Sequence, residues 1–240
     1  MEIVKKIIEK ARDNYINPGI TIAFFGDSVT QGCFEIYIKE NGAIETYFDK
    51  NNAYHAHLAK MLSVIYPSVP FNMINAGVSG DNATHALERM DRDVIAHKPD
   101  LTVVCFGLND ASRGVEGIDL YRNALKGIFQ KLKESGTEII FMTPNMMNTK
   151  LSPHIQNEKI REFAEKTMKI QSDGVFDMYI DAALNVCRKE NIKVLDMYSY
   201  WKILNQSGVD ITELLANKIN HPLREMNKYT AVKLLETILT

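Results

Sequence analysis

Residues 21–35 read TIAFFGDSVTQGCFE, an apolar run that stops at a turn and continues through residues that favour turns and helix starts. The run 19–25 is nearly continuous in apolar residues, which predicts a strand buried on both faces of a parallel sheet. Ser28 follows this strand, so its side chain should emerge at the carboxyl edge of the sheet, where such folds bind ligands. Taken alone, the stretch allows two interpretations: Asp27 or Ser28 caps a helix, or Ser28 is a nucleophile held at a strand end.

The rest of the chain alternates between strand-like and helix-like patterns. Further strands are predicted at 71–77, 100–107, 137–143 and 192–197, and helices near 53–66, 83–97, 118–135, 158–190 in pieces and 222–238. This alternation predicts a three-layer α/β/α fold with right-handed crossovers. Two long segments, 32–52 and 144–172, leave the carboxyl ends of strands and are predicted to form pocket walls or a lid.

Composition limits the classes of protein to which the chain can belong. With 240 residues, 45% of them apolar and 24% charged, we expect one domain over 1–240. The net charge of −2 provides no broad basic field for nucleic acid or an anionic membrane. Three widely spaced cysteines imply no disulfide framework, the N-terminal pattern is helical rather than that of a signal peptide, and no run is long enough for membrane insertion. A cytoplasmic protein is expected, and its oligomeric state is left open.

Three further polar features follow the predicted strands or precede the last helix. Gly80 lies in INAGVSGD (74–81), Asn109 lies in CFGLND (105–110), and His221 lies in NKINHPLREM (217–226), where Pro222 is predicted to begin the helix. Each feature alone is most simply a turn or a cap. With Ser28, however, they share one edge of the sheet, which brings together a nucleophile, oxyanion donors and a base.

The chain lacks the sequence signatures of several other ligand-binding and catalytic sites. The chain has neither the glycine-rich phosphate loop nor the dinucleotide-binding fingerprint. The nucleophile elbow of α/β-hydrolases needs one glycine two residues before its serine and another two residues after it. Ser28 has Gly26 before it but Thr30 after it. His55 and His57 are two residues apart in a predicted helix, so they point to different faces and make a poor metal pair.

The segments GDSVTQG, NAGVSGD, GLND and NHP, in this order and spacing, resemble the four sequence blocks of the SGNH (GDSL-like) hydrolases, over about residues 20–230. The resemblance implies a flavodoxin-like five-stranded parallel sheet of order 2-1-3-4-5 and ester hydrolysis without a metal or other cofactor. Carried over by position, Ser28 is the nucleophile and His221 the base. The backbone N–H groups of Ser28 and Gly80 and the side-chain amide of Asn109 form the oxyanion hole.

One position departs from the family pattern. The family usually has an aspartate three residues before its histidine to hold the imidazole tautomer, whereas this chain has Lys218. Either a backbone carbonyl orients His221, giving a Ser-His dyad, or a nearby side chain does so. The nearby candidates are Asn217, Asp210 and Glu225.

The substrate is predicted to be a small-molecule ester. No long apolar stripe suggests an acyl tunnel, and the polar segment 32–52 suits a hydroxylated alcohol, which favours acetyl or another short acyl group on a carbohydrate or similar metabolite. A lysophospholipase or thioesterase is the alternative enzyme. A binding module that has lost catalysis is the alternative class, and Lys218 is the residue that motivates it.

Overall fold

The centre of the fold is a sheet of five parallel strands, and the computed structural model describes all 240 residues. The strands are β1 (Ile20–Gly26), β4 (Phe71–Gly77), β5 (Leu101–Cys105), β6 (Glu138–Met142) and β7 (Lys193–Leu195). Their order is β4-β1-β5-β6-β7, which is 2-1-3-4-5 when these five are counted along the chain. The predicted flavodoxin-like sheet is therefore confirmed.

Helices form two groups that both contact the sheet. The helices are α1 (Glu2–Arg12), α2 (Ser28–Gln31), α3 (Tyr54–Ile65), α4 (Ala83–Asp93), α5 (Ile118–Glu134), α6 (Glu158–Ser172), α7 (Val175–Lys189), α8 (Met197–Gln206) and α9 (Arg224–Leu239). One group packs α1 and α3 on α9, and the other packs α4 and α7 on α5, with α6 on α7. A cluster of 53 buried hydrophobic residues joins these layers. None of the helices is both long and apolar enough to cross a membrane.

The long segment after β1 contains structure that the sequence analysis missed. Residues Cys33–Ile38 (β2) and Ile44–Phe48 (β3) form an antiparallel hairpin separate from the main sheet. Glu40 and Asn41 lie at the centre of the turn, and Gly42 follows at φ +78° with its N–H donating to the Lys39 carbonyl at 2.8 Å. An Asn-Gly pair between apolar residues is a strong hairpin signal, and it was readable here. Helix α8 was also not predicted.

The prediction that Pro222 begins the last helix is wrong. Helix α9 begins at Arg224, and Pro222 instead forms an antiparallel bridge with Leu215. The Ala216 N–H donates to the His221 carbonyl at 2.7 Å, so the chain folds back on itself before the helix starts. His221 is consequently held by a loop rather than by a helix terminus.

Two glycines allow α2 to pack directly against the ends of β1 and β4. A Cβ atom on Gly26 would lie 2.2 Å from Thr30 Oγ1 and 2.8 Å from the Cys105 carbonyl oxygen. A Cβ atom on Gly77 would lie 2.3 Å from the Gln31 backbone nitrogen. Since backbone atoms cannot swing aside as a flexible side chain does, glycine at 77 sets how closely α2, which begins at Ser28, approaches the sheet.

We expect Gly77→Ala to lower the free energy of unfolding by about 1–3 kcal/mol, because the added methyl group overpacks against fixed backbone. Urea denaturation measures the change. Gly127→Ala is the matched control: its Cβ would meet the mobile end of Leu87 at 3.1 Å in the interior of α5, where alanine is the better helix former. Equal stability of the two variants would contradict the argument.

Candidate active site

Ser28 and His221 meet at the carboxyl edge of the sheet. Ser28 is the first residue of α2, and its Oγ lies 2.9 Å from His221 Nε2. The helix cap is Asp27, whose Oδ1 accepts the Val29 N–H at 3.0 Å. Each of the two roles considered for this stretch therefore belongs to a different residue. Asp27 caps the helix, which leaves the Ser28 hydroxyl free to bond the imidazole.

The other imidazole nitrogen bonds a backbone carbonyl. His221 Nδ1 lies 2.9 Å from the carbonyl oxygen of Phe34 on β2. Because a carbonyl only accepts, Nδ1 carries the proton and Nε2 has the free lone pair that faces Ser28. This is the tautomer that a general base requires. Of the alternatives left open by the sequence, the structure has the backbone carbonyl bonded to His221.

None of the three side-chain candidates bonds the imidazole. Asn217 Oδ1 accepts the backbone N–H groups of Ile219, Asn220 and His221 at 2.9–3.0 Å, so it holds the turn and not the ring. Asp210 pairs with Lys150 and caps a short turn through the Thr212 N–H. Glu225 is exposed in the first turn of α9.

Lys218, at the position of the family's aspartate, points to a different partner. Its Nζ pairs with Glu213 at 2.8 Å, and its backbone adopts the left-handed conformation with φ +59°. The lysine therefore forms a surface ion pair and leaves both nitrogens of His221 to Ser28 and Phe34.

Three residues that line the cleft beside Ser28 carry available hydrogen-bond donors. The backbone N–H groups of Ser28 and Gly80 have no acceptor within the protein. The Asn109 side-chain amide donates one hydrogen to the Asp81 carbonyl at 2.8 Å, which leaves its second hydrogen available. These residues and His221 line one cavity of about 210 Å³. The arrangement can bind a negatively charged oxygen that develops next to Ser28.

Arg89 on α4 fixes the loops that carry these donors, and the sequence analysis did not single it out. Its guanidinium donates to Asp81 at 2.6 Å and to the carbonyls of Ala76 and Gly26 at 2.8 and 3.1 Å. One side chain thus joins the end of β1 to the end of β4 and to the turn that contains Gly80. The readable signal was an arginine three residues after Ala86, on the buried face of an amphipathic helix.

Buried carboxyl groups are adjacent in sequence to the residues that carry the donors. Burial raises the pKa of Asp27 and of Asp110 to about 7, and each is further raised by the charge of neighbouring carboxylates such as Asp81. Asp110 Oδ1 accepts the Ala83 N–H at 3.1 Å, whereas its Oδ2 is buried without a partner. Because of these raised pKa values, Asp27 and Asp110 together carry less negative charge near neutral pH than two free aspartates would.

Burial also determines the charge of the proposed base. It lowers the pKa of His221 to about 4, although the Phe34 carbonyl and the nearby Glu35 charge act in the opposite direction. The imidazole is therefore neutral at neutral pH and able to accept a proton.

A model of the GDSL-like lipase/acylhydrolase family matches residues 24–228, a range that includes Ser28, Gly80, Asn109 and His221. The chain belongs to this family. An acetylxylan esterase from Geobacillus stearothermophilus is 28% identical to this GDSL-like chain over 138 residues. That match covers 54% of this chain and 61% of the relative, less than two thirds of its length.

Solved structures of esterases share the fold of this GDSL-like protein. An acetyl xylan esterase has a TM-score of 0.67 at 20% identity, covering 91% of this chain and all of its own. The acetylxylan esterase of Geobacillus stearothermophilus gives 0.67 at 23% identity, covering 93% and 95%. A two-domain esterase active on acetylated mannans gives 0.67 at 17% identity, covering 98% of this chain and 52% of its own. At these identities the likeness shows the fold alone.

We expect hydrolysis by this GDSL-like protein to persist well below pH 6.5. Because burial lowers the pKa of His221 to about 4, its imidazole stays neutral at any pH above about 4. We therefore expect kcat/KM to fall only as the pH drops through about 4 and the ring becomes protonated. A pH–rate profile with a nitrophenyl ester measures this, with circular dichroism at each pH as the control for folding.

The histidine itself can be followed by NMR, through the imidazole resonance that disappears in His221→Asn. This separates its titration from those of Asp27 and Asp110, whose raised pKa values lie near 7. A His221 midpoint at 6.5 or above would show that the ring is not desolvated as the structure indicates.

Proposed function

We propose that this protein is a serine esterase that hydrolyses a carboxylic ester through an acyl-Ser28 intermediate, with acetyl esters of a carbohydrate or similar polar alcohol as its preferred substrates. The observation that carries the proposal is the 2.9 Å bond between Ser28 Oγ and His221 Nε2 inside a cavity that also presents three oxyanion donors. The similarity to an acetylxylan esterase supports the substrate class.

In the acylation step, His221 Nε2 removes the hydroxyl proton as Ser28 Oγ attacks the ester carbonyl carbon. The carbonyl oxygen becomes an oxyanion that accepts hydrogen bonds from the Ser28 and Gly80 N–H groups and the Asn109 amide. The imidazolium then returns its proton to the alcohol oxygen as the carbon–oxygen bond breaks. The alcohol leaves, and the acyl group stays on Ser28.

In the deacylation step, water takes the position of the alcohol. His221 Nε2 accepts a proton from this water as its oxygen attacks the acyl carbon, and the same three donors bind the second oxyanion. The bond to Ser28 breaks, Ser28 Oγ takes the proton back from His221, and the carboxylic acid leaves. No step requires an additional co-reactant.

The shape and polarity of the cleft support a short acyl group and a hydroxylated alcohol. Only three of its twelve lining residues are hydrophobic, namely Ile36, Ile44 and Phe163. A neighbouring cavity of about 350 Å³ shares Ile36 and Asn217 with it and is lined by polar side chains that include His154, Gln156 and Asn157. Such walls suit sugar hydroxyls better than a long alkyl chain.

Two broader expectations belong to the same proposal. The three cysteines are free and buried, which fits a cytoplasmic location where thiols stay reduced. The 53-residue hydrophobic cluster, which includes residues from both α1 and α9, supports one domain over 1–240.

Removing the nucleophile should abolish hydrolysis. We expect Ser28→Ala to eliminate turnover of nitrophenyl acetate, and Asn109→Ala to lower kcat by about 10²- to 10³-fold through loss of one oxyanion donor. Ser63→Ala, on the exposed surface of α3, is the matched control with wild-type kinetics. A fluorophosphonate should label the wild type but not Ser28→Ala. Full activity of Ser28→Ala would overturn the proposal, and an unlabelled, folded wild type would support a binding module instead.

An ester panel tests the substrate. With the alcohol held constant, we expect kcat/KM to be highest for acetyl and to fall as the acyl chain lengthens, because the cleft is small and only three of its twelve lining residues are hydrophobic. With acetyl held constant, acetylated sugars should exceed acetates of apolar alcohols. Activity that rises steadily beyond eight carbons would contradict the acetyl preference and indicate a lysophospholipase or thioesterase.

A further inference from the structure

The imidazole of His221 bonds a carbonyl that belongs to a small element outside the main sheet. Phe34 lies on β2, and β2 pairs only with β3 in a two-stranded hairpin outside the main sheet. A two-stranded hairpin by itself is marginally stable in water. The Phe34 carbonyl can hold a fixed position against His221 Nδ1 only if other contacts fix the hairpin.

Arg224 supplies such contacts. Its Nη1 and Nη2 donate to the two carboxylate oxygens of Glu35 at 2.6 and 3.1 Å, and its Nε donates to Asp49 at 2.7 Å. The guanidinium carbon lies 4.3 Å from the centre of the Phe34 ring. Glu35 follows Phe34 on β2, and Asp49 follows β3, so the Arg224 side chain bonds to both strands of the hairpin. It also covers the ring of Phe34, the residue whose carbonyl accepts from His221.

We call Arg224 and its two partners, Glu35 and Asp49, the clamp. The position of Arg224 in the sequence places the clamp next to His221. Arg224 is the first residue of α9, three positions after His221. The same short stretch of backbone therefore carries both the imidazole and the side chain that holds the imidazole's partner. The planar guanidinium binds Glu35 through two parallel bonds, which fix an orientation as well as a distance.

The charges of the clamp also act on the base. Arg224 lowers the pKa of Glu35 and of Asp49, so both carboxylates stay ionised at neutral pH. With one positive and two negative groups, the clamp has a net charge of −1. The Glu35 charge raises the pKa of His221 and so favours the imidazolium that forms during the reaction.

We propose that Arg224 is a positioning residue for the esterase reaction, because it fixes the Phe34 carbonyl against His221 Nδ1. Together with Glu35 it performs the function of the family's aspartate, which Lys218 replaces here: it holds the imidazole in one tautomer. This inference rests on the proposed function. It gives the Ser-His pair a tautomer-setting partner that is built from the hairpin and not from the loop before the histidine.

Arg224→Gln tests the inference by removing the charge and both carboxylate contacts. We expect kcat to fall about 10- to 100-fold with KM within about threefold, because the imidazole loses its fixed tautomer while the cleft stays intact. Arg224→Lys retains the charge but not the fork, and its kcat should lie between those of Arg224→Gln and the wild type. Lys218→Asn is the matched control, with kinetics near wild type, since asparagine tolerates the left-handed backbone there.

A substrate-free measurement separates positioning from a general loss of structure. In protein labelled with ¹⁵N-histidine, wild-type His221 should show protonated Nδ1 and unprotonated Nε2, and Arg224→Gln should show a mixture of the two tautomers. An unchanged kcat, or a lower kcat with an unchanged tautomer, would overturn the inference. If Arg224→Gln fails to fold, Glu35→Gln and Asp49→Asn each remove one side of the clamp and are judged by the same two measurements.

The outcomes distinguish this inference from the proposed function. Full activity of Ser28→Ala would overturn the esterase assignment, whereas the NMR measurement would still show whether Arg224 sets the tautomer. Inactive Ser28→Ala together with unaffected Arg224 variants would leave the esterase standing and reject only the clamp.

Discussion

The register of the parallel sheet is the constraint on which the site depends. Gly26 of β1 pairs with Gly77 of β4 on one side and with Cys105 of β5 on the other, so three strands end at the same level. Ser28, Gly80 and Asn109 follow these ends by two to four residues, and their donors converge without any long excursion of the chain. A shift of one strand by one residue would move its donor by about 3.3 Å, more than a hydrogen bond tolerates.

The base reaches this edge by another route, since His221 is 193 residues from Ser28 along the chain. His221 does not follow the end of any strand of the main sheet. Asn217 gathers three successive backbone N–H groups into a tight loop, the bridge between Leu215 and Pro222 closes that loop, and the hairpin carbonyl meets the imidazole from the opposite side. Long-range polar contacts therefore determine where the histidine lies, whereas strand register determines where the serine lies.

This difference explains what the sequence could predict. The five parallel strands appear as apolar runs bounded by turn residues, and each predicted run overlaps the observed strand. The order of four short motifs indicated the family, and the cleft contains the four residues carried over from it. What the sequence could not indicate were contacts between distant side chains and backbone. Arg89 looks like a surface charge until its acceptors at the strand ends are known, and Phe34 acts through a carbonyl that every residue has.

The replacement of a carboxylate by a carbonyl also changes where charge must come from. A carbonyl sets the tautomer of His221 as well as an aspartate does, but it offers only a partial charge to the imidazolium that forms in the transition state. In this protein the full negative charge lies farther out, on Glu35, and Arg224 holds it there. Desolvation meanwhile keeps the resting imidazole neutral and lowers its pKa to about 4. A base of low pKa is unprotonated over a wide range of pH but is also a weaker proton acceptor, so the proposed reaction relies more heavily on the three donors proposed for the oxyanion.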